Sequence, residues 1–212
     1  MSLHVCEIFR SIQGESSFAG WPCIFVRLTG CNLRCRYCDT TYAYTGGESL
    51  SVRAVLERVE ALGDGLIEFT GGEPLLQEPA VELMNALARS GRSVLVETNG
   101  SQDISVLADE VIAIVDMKGP SSGESEKMDL ANLERLRAKD ELKFVIGARA
   151  DYAHMLALLA HVDTQRNTAN VSPLFGTLAP AELAAWMLAD GLYARLNLQQ
   201  HKYIWQPDAR GV

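Results

Sequence analysis

Apolar residues recur along this chain in two rhythms, a strict alternation and a three-to-four-residue stripe, and the two rhythms take turns. Trp21 to Leu28 alternates as a strand, with Cys23, Phe25 and Arg27 on one face and Ile24, Val26 and Leu28 on the other. Ser51 to Leu62 predicts a helix: Val52, Val55, Leu56, Val59 and Leu62 share a stripe, and Gly63 stops it. Leu66 to Thr70 predicts a strand, Pro79 to Ser90 a helix closed by Gly91, and Val94 to Thr98 a strand. The pattern continues with a strand at Val111 to Asp116, a helix at Leu130 to Ala138, a strand at Leu142 to Ile146 and a helix at Ala150 to Val162. Ala169 to Ser172 (strand), Ala181 to Asp190 (helix) and Arg195 to Gln199 (strand) complete it. Strands alternating with helices imply a parallel sheet with covering helices. Seven strand candidates in 212 residues fall short of a complete eight-stranded barrel, which typically takes ~250 residues. The expected architecture is an α/β incomplete barrel, TIM-like, in one domain spanning residues 1–212. A doubly wound open sheet is the alternative.

The polar residues between these elements have an order of their own. Thr70-Gly71-Gly72-Glu73 follows one strand, Glu97-Thr98-Asn99-Gly100 the next, and Asp116 with Lys118 another. Ser172-Pro173 and then Gln199 with His201 follow the last two. Every set sits at the C-terminal end of its strand, the end at which parallel α/β folds bind ligands.

Composition narrows the function classes. The chain is 48% hydrophobic and 22% charged, as a soluble globular protein is. Its longest unbroken apolar run, Leu183 to Ala189, is far short of the roughly 20 residues of a membrane span. The start, Met1-Ser2-Leu3-His4, lacks the basic and apolar stretches of a signal peptide, so a cytoplasmic protein with no membrane partner is expected. A net charge of −8 argues against a non-specific nucleic-acid binder, because that role needs positive charge facing phosphates.

The five cysteines, Cys6, Cys23, Cys31, Cys35 and Cys38, all lie in the first fifth of the chain. A secreted disulfide framework spreads an even number over a smaller domain. Three of them crowd into Cys31-Asn32-Leu33-Arg34-Cys35-Arg36-Tyr37-Cys38, a loop tight enough to aim three thiolates at one place. Structural zinc takes four ligands, and no further Cys or His follows closely. Cys23, on a strand beside Phe25, suits core packing. Three thiolates without a fourth ligand fit a 4Fe-4S cluster with one open iron.

This spacing resembles that of the radical S-adenosylmethionine (SAM) enzymes. Tyr37 before the third cysteine and Thr70-Gly71-Gly72-Glu73-Pro74, the segment that meets the methionine amino group in that superfamily, match in the same order. Ser11-Ile12-Gln13-Gly14-Glu15 before the loop, Cys38-Asp39-Thr40 closing it, and Gln199-Gln200-His201-Lys202-Tyr203 further on narrow the resemblance. Together they resemble the 7-carboxy-7-deazaguanine synthases of queuosine and deazapurine biosynthesis, from about Phe9 to Tyr203. The resemblance implies a lyase that contracts 6-carboxy-5,6,7,8-tetrahydropterin to 7-carboxy-7-deazaguanine with loss of ammonia. It implies a 4Fe-4S cluster, SAM and magnesium as cofactors, a homodimer, and a flavodoxin or ferredoxin as electron donor.

The same resemblance implies roles for residues. Cys31, Cys35 and Cys38 bind the cluster and Thr40 offers its hydroxyl to magnesium. Tyr37, Cys38, Asp39, Gly72, Asp116, Met117, Lys118, Asn170, Val171, Ser172 and Pro173 cradle SAM, with Gly72 close to its methionine part. Ile12, Gln13, Gly14, Arg27 and Thr70 meet the substrate, Arg27 opposing its carboxylate. Glu15 and Glu97 are candidates for the guanidine-like edge of the pterin, and His201 and Pro207 for the pocket wall. No general acid or base is assigned. Each has a plainer alternative: Gln13-Gly14-Glu15 as a surface turn, Arg27 as a salt-bridged barrel residue, Thr40 as a helix cap, His201 as a structural histidine. The chain departs from the family pattern at Ser16, where many relatives have Gly, and in continuing from Ile204 to Val212.

Two other functions compete. An activase that installs a glycyl radical on a partner protein shares the cysteine motif but needs a docking surface in place of a closed pocket. A non-catalytic zinc or Fe–S binding module needs neither the Gly-Gly-Glu segment nor polar sets at the strand ends.

Overall fold

The computed structural model describes all residues, 1–212. Nine strands form one sheet: β1 (Ser2–Ile12), β2 (Pro22–Leu28), β3 (Glu48–Ser51), β4 (Leu66–Gly71), β5 (Val94–Thr98), β6 (Ile112–Asp116), β7 (Glu141–Ile146), β8 (Ala169–Pro173) and β9 (Arg195–Leu196). Their spatial order is β3-β1-β2-β4-β5-β6-β7-β8-β9. From β2 to β9 all pairings are parallel, and β1 is antiparallel to both its neighbours. A doubly wound sheet reverses its strand order at a switch point. Here the order from β2 onwards follows the chain without reversal. Crossovers of one hand then keep the helices on one side, and the sheet curls as a barrel that β3 and β9 leave open.

The alternation read from the sequence sets which face is which. Ile24, Val26 and Leu28 of β2, Ile67 and Phe69 of β4, Val94 and Val96 of β5, Ala113 and Val115 of β6, and Leu142, Phe144 and Ile146 of β7 form one face. They join one core of 40 buried residues with the stripes of α1 (Val52–Ala61), α2 (Glu78–Arg89), α4 (Arg149–Leu159) and α5 (Pro180–Ala189). Ser51 starts α1, its side chain accepting from the Ala54 N–H at 3.2 Å. Apolar burial at ~25 cal/mol per Å2 makes this outer shell the main stabilising layer. The other face is different. In register from β2 to β8 it carries Arg27, Thr70, Glu68, Glu97, Asp116, Glu141, Lys143, Asn170 and Ser172. The concave side of the sheet is thus polar and charged.

Five elements differ from expectation, and of these the short β3 and the final turn go unread altogether. β1 goes unread in the sequence because its register shifts between Val5 and Glu7, breaking the alternation that would reveal it. The helix expected at Leu130 to Ala138 is a single turn, α3 (Asn132–Arg135). Asn132 is wholly buried, donating to the carbonyls of Gly100 and Gln102, and Arg137 donates to those of Ala108 and Val111. These contacts pull the chain out of the helix and override its stripe. The last strand stops at Leu196 because the buried Asn197 turns away to bind Ser16, accepting from its N–H at 3.0 Å. A last turn, α6 (His201–Ile204), follows.

Glu73 ties two strand ends together. Its buried carboxylate accepts from the Asn99 N–H at 2.7 Å, the Thr98 hydroxyl at 2.8 Å and the Leu75 N–H at 3.0 Å. Glu73→Gln replaces one acceptor oxygen by a donor facing donors, and is expected to cost about 1–3 kcal/mol in urea unfolding. Burial lifts the Glu73 carboxyl to about 7, against its hydrogen bonds, so the folded chain holds that proton more tightly than the unfolded chain. Stability from this group is present at low pH and lost as pH rises from the ordinary glutamate range through about 7. The cost of the substitution is therefore expected to be larger below that window than above it.

Candidate active site

The loop after β1 crosses the concave face instead of turning at the surface. Gln13, Glu15 and Ser16 are buried. Gln13 donates through its side chain to Glu68 of β4, Glu15 pairs with Lys143 of β7, and the Ser17 N–H donates to Glu141 of β7 at 3.0 Å. With the Ser16 bond to Asn197, one short loop reaches from β4 to the end of β9. The surface-turn reading of Gln13-Gly14-Glu15 is thereby overturned. Ser16 is the one non-glycine residue with a left-handed backbone, φ 61°, which explains why glycine suits this position.

Two further segments meet this loop. The Gln200 N–H donates to the Gly14 carbonyl at 2.9 Å, and a Cβ at Gly14 would stand 2.3 Å from His201 Nδ1. Lys202 donates to Asp39 at 2.6 Å, joining α6 to the end of the cysteine loop. The segments singled out along the sequence around Gln13, Cys38 and His201 are therefore in physical contact.

They surround a cavity of about 250 Å3. Its wall includes Ile12, Gln13, Gly14, Glu15, Arg27, Cys31, Cys35, Tyr37, Cys38, Asp39, Thr40, Thr70, Gly72, Glu97, Asp116, Lys118, His201 and Pro207. Met117 is wholly buried and off the wall, and so are Asn170, Val171, Ser172 and Pro173. Asn170 and Ser172 share the concave face with Lys143 and Val145, their partners in register. Val171 points into the outer core.

The three thiols of the loop are free and half-buried on this wall. No three His, Cys, Asp or Glu side chains converge as a single metal ion needs. Three free thiols of one loop on one wall are the ligand type that a cubane cluster takes. Two N–H groups face Cys31 Sγ, from the Leu33 backbone at 3.4 Å and from Asn99 Nδ2 at 3.7 Å. Hydrogen bonds to cluster sulfur are the usual way a protein tunes such a site. Cys23 is buried in the strand, and burial pushes its thiol well above the ordinary range, as a packing residue requires.

Gly72 has a different reason to be glycine from the one expected. A Cβ there would lie 1.9 Å from the Gly30 carbonyl oxygen, and the Glu73 N–H donates to that oxygen at 2.7 Å. The close approach is between the strand end and the start of the cysteine loop. Thr40 does not cap the turn at Thr41–Ala43; its hydroxyl bonds to Asp39 at 3.0 Å and lines the cavity. Arg27 is salt-bridged, Nε to Glu7 at 2.7 Å, yet its Nη groups make no hydrogen bond within the chain. The Tyr42 hydroxyl donates to the same Glu7 oxygen at 3.0 Å. His201 is held neutral to lower pH by burial.

Sequence reasoning missed the residue that organises the floor. Lys143 is buried, 4% exposed, donating to Glu15 and, at 2.7 Å, to Glu97, with Asp116 at 3.9 Å. Its signal was a lone cation at an inward position of an otherwise apolar strand. Burial alone raises the Glu15 carboxyl, but the Lys143 charge outweighs it and holds it below the usual range. Glu97 stays raised by burial, which Lys143 only partly offsets. Glu68, which accepts from Gln13, is raised far above the usual range by burial and by Glu97 beside it. Lys118 donates to Asp116 at 2.6 Å. Three buried oxygens on this wall have no partner, Glu15 Oε1, Asp116 Oδ1 and Tyr37 Oη.

No helix is long and apolar enough to cross a membrane. The radical SAM superfamily pattern matches residues 25–118. The crystal structure of QueE from Escherichia coli superposes with a TM-score of 0.79 over 95% of each chain at 24% identity, which shows the fold. The 7-carboxy-7-deazaguanine synthase of Chlorobaculum tepidum is 46% identical, covering 99% of this chain and 97% of its own length. That of Koribacter versatilis is 44% identical, covering 99% of this chain and all of its own. With such identity over nearly every residue, and with the cysteine loop, the Gln-Gly-Glu loop and the His-Lys turn closed on one cavity, the chain belongs to the 7-carboxy-7-deazaguanine synthases of the radical SAM superfamily.

Proposed function

We propose that the chain converts 6-carboxy-5,6,7,8-tetrahydropterin to 7-carboxy-7-deazaguanine and ammonia, the reaction implied by its family. What carries the reading is one cavity with three free thiols on one wall and Glu15, with an unpartnered buried oxygen, on another. A glycyl-radical activase has no use for an enclosed floor of carboxylates beneath its thiols.

Cys31, Cys35 and Cys38 would hold a 4Fe-4S cluster. Tyr37, Asp39, Gly72, Asp116 and Lys118 on the wall, with Met117 and Asn170 to Pro173 behind it, would hold SAM. Thr40, beside Asp39, would hold magnesium together with the substrate carboxylate. Bound there, the cluster and SAM would supply the radical chemistry for hydrogen-atom abstraction at the substrate carbon bearing the carboxylate. The residues do the positioning. Arg27, fixed at Nε by Glu7, turns its free Nη groups to the substrate carboxylate. Thr70, its partner in register, stands beside it. Glu15 accepts N–H groups of the pyrimidine edge through Oε1. Ile12 and Gly14 line the ring pocket. Reduction by a flavodoxin or ferredoxin, and assembly as a homodimer, complete this reading on the family's pattern.

The deciding experiment is anaerobic. Reconstituted protein with SAM, reductant, magnesium and 6-carboxytetrahydropterin is expected to give 5′-deoxyadenosine and 7-carboxy-7-deazaguanine, followed together by mass. Deoxyadenosine without the deazapurine would transfer the chain to another radical substrate.

Cys35→Ala is expected to abolish cluster absorbance and all SAM cleavage; cleavage by that variant would refute the three-thiol assignment. Thr40→Ala is expected to keep the cluster and lose most of the response to added magnesium. An unchanged magnesium titration would remove Thr40 from the metal.

A further inference from the structure

We propose that Lys143 is a positioning residue of the pterin site, tying Glu15 and Glu97 so that Glu15 presents one fixed acceptor oxygen to the N–H-bearing edge of the substrate. This rests on the pterin reading above and adds to it a residue that neither the motifs nor the relatives' names single out. Three separate elements bring carboxylates to this ammonium: Glu15 from the loop after β1, Glu97 from β5 and Asp116 from β6. Burying an ammonium is costly, and pairing it is the ordinary remedy. A purely structural pair would satisfy the carboxylates it uses. Here Lys143 binds Oε2 of Glu15 and leaves Oε1 buried on the cavity wall, without a hydrogen bond of full geometry and with the Gln199 amide close enough to favour its charge. The backbone N–H of Glu15 is itself held by Gln13 Oε1 at 2.8 Å, so the side chain starts from a fixed point.

The charges around this group leave a definite remainder. Asp116 is answered by Lys118. Glu141 is answered by Ser17 and Asn170. Glu68 accepts from Gln13, and burial favours its neutral form. Burial favours the neutral form of His201, and Asp39 is taken by Lys202. Glu15 and Glu97 share one ammonium, so these two carboxylates outnumber the cation that ties them. The adjacent N–H donors of a 2-amino-4-oxopyrimidine edge match that excess, as a carboxylate pairs with paired donors. Without Lys143, two buried carboxylates face each other and one takes up a proton near neutrality. An O–H then points at the substrate's N–H.

The test uses reconstituted holoenzyme and 6-carboxypterin, a fluorescent analogue that cannot complete the reaction. Wild type is expected to bind it with little pH dependence between about pH 5.5 and 7.5. Lys143→Met is expected to bind it on the order of 10- to 100-fold more weakly at the acid end and to recover as pH rises. Lys143→Arg, which keeps the charge, is expected to stay near wild type. With the true substrate, the Met variant is expected to raise KM more than it lowers kcat, with cluster absorbance and iron content unchanged. If Lys143→Met does not fold, Lys143→Gln, which keeps donors and loses charge, is expected to show the same pH-dependent weakening. Wild-type affinity in the neutral variant, or equal weakness of Met and Arg variants at every pH, overturns the proposal. Wild type that neither binds the analogue nor forms the deazapurine overturns the pterin reading and this role with it.

Discussion

A carboxylate on the concave face of this sheet has lost its water, and the structure is arranged around that constraint. Glu68, Glu97, Asp116 and Glu141 point inward from consecutive strands, and Glu15 descends on them from the loop above. An isolated buried carboxylate costs several kcal/mol, so each must find a donor or a proton. The donors are Gln13, Ser17, Asn170, Lys118 and above all Lys143. Gln13 and Ser17 lie on the loop after β1, and Lys143 and Lys118 line the cavity itself. Satisfying the buried charge and building the site are thus one requirement.

The same requirement explains why a left-handed serine persists. A non-glycine residue at φ 61° costs about 1 kcal/mol or somewhat more. Ser16 is over-determined: its N–H donates to Asn197 Oδ1, its carbonyl accepts from Asn197 Nδ2 at 3.3 Å and from Arg195, and its hydroxyl accepts from Phe18 N–H at 3.2 Å. If the turn relaxed, Glu15 would leave Lys143 and the Ser17 N–H would leave Glu141. The local strain is small beside the buried pairs it keeps in place.

The outer half of the fold was legible in the sequence and the inner half only in part. Period-two runs such as Ile24-Val26-Leu28 and helical stripes such as Val55-Val59 record burial against one continuous apolar core, so strands and helices could be read where that core dominates. Where polar contacts decide the path, reading failed: the bulged β1, the helix cut short by Asn132 and Arg137, and the strand ended by Asn197. The site followed the same division. Local spacing revealed Cys31, Cys35 and Cys38. Lys143 meets Glu15 across 128 positions and leaves no local pattern beyond a cation in an apolar strand. Gly72 was recognised as necessary, but its neighbour, the Gly30 carbonyl, is set by how a loop docks, which spacing does not record.

The charge pattern also orients the ligand. At one end of the cavity Arg27 stands against Glu7, and the Tyr42 ring lies between Arg27 at 5.9 Å and Arg210 at 3.9 Å. Two guanidinium groups gather there on the Tyr42 ring, and one of them is held by the Glu7 carboxylate. The tail that carries Arg210 lines the cavity through Gln206, Pro207, Asp208 and Ala209, so this second cation comes from the part of the chain beyond the shared motifs. At the other end Glu15 and Glu97, two carboxylates, share the one cation Lys143. A flat ligand with a carboxylate at one edge and N–H donors at the opposite edge fits this field in one direction only. Reversal would set carboxylate against carboxylate and donors against guanidinium, a mismatch of several kcal/mol in a site shielded from water. For the proposed substrate, this field would favour the orientation that turns the carboxylate-bearing carbon toward Arg27 and Thr40, before any contact with the reacting atoms is made.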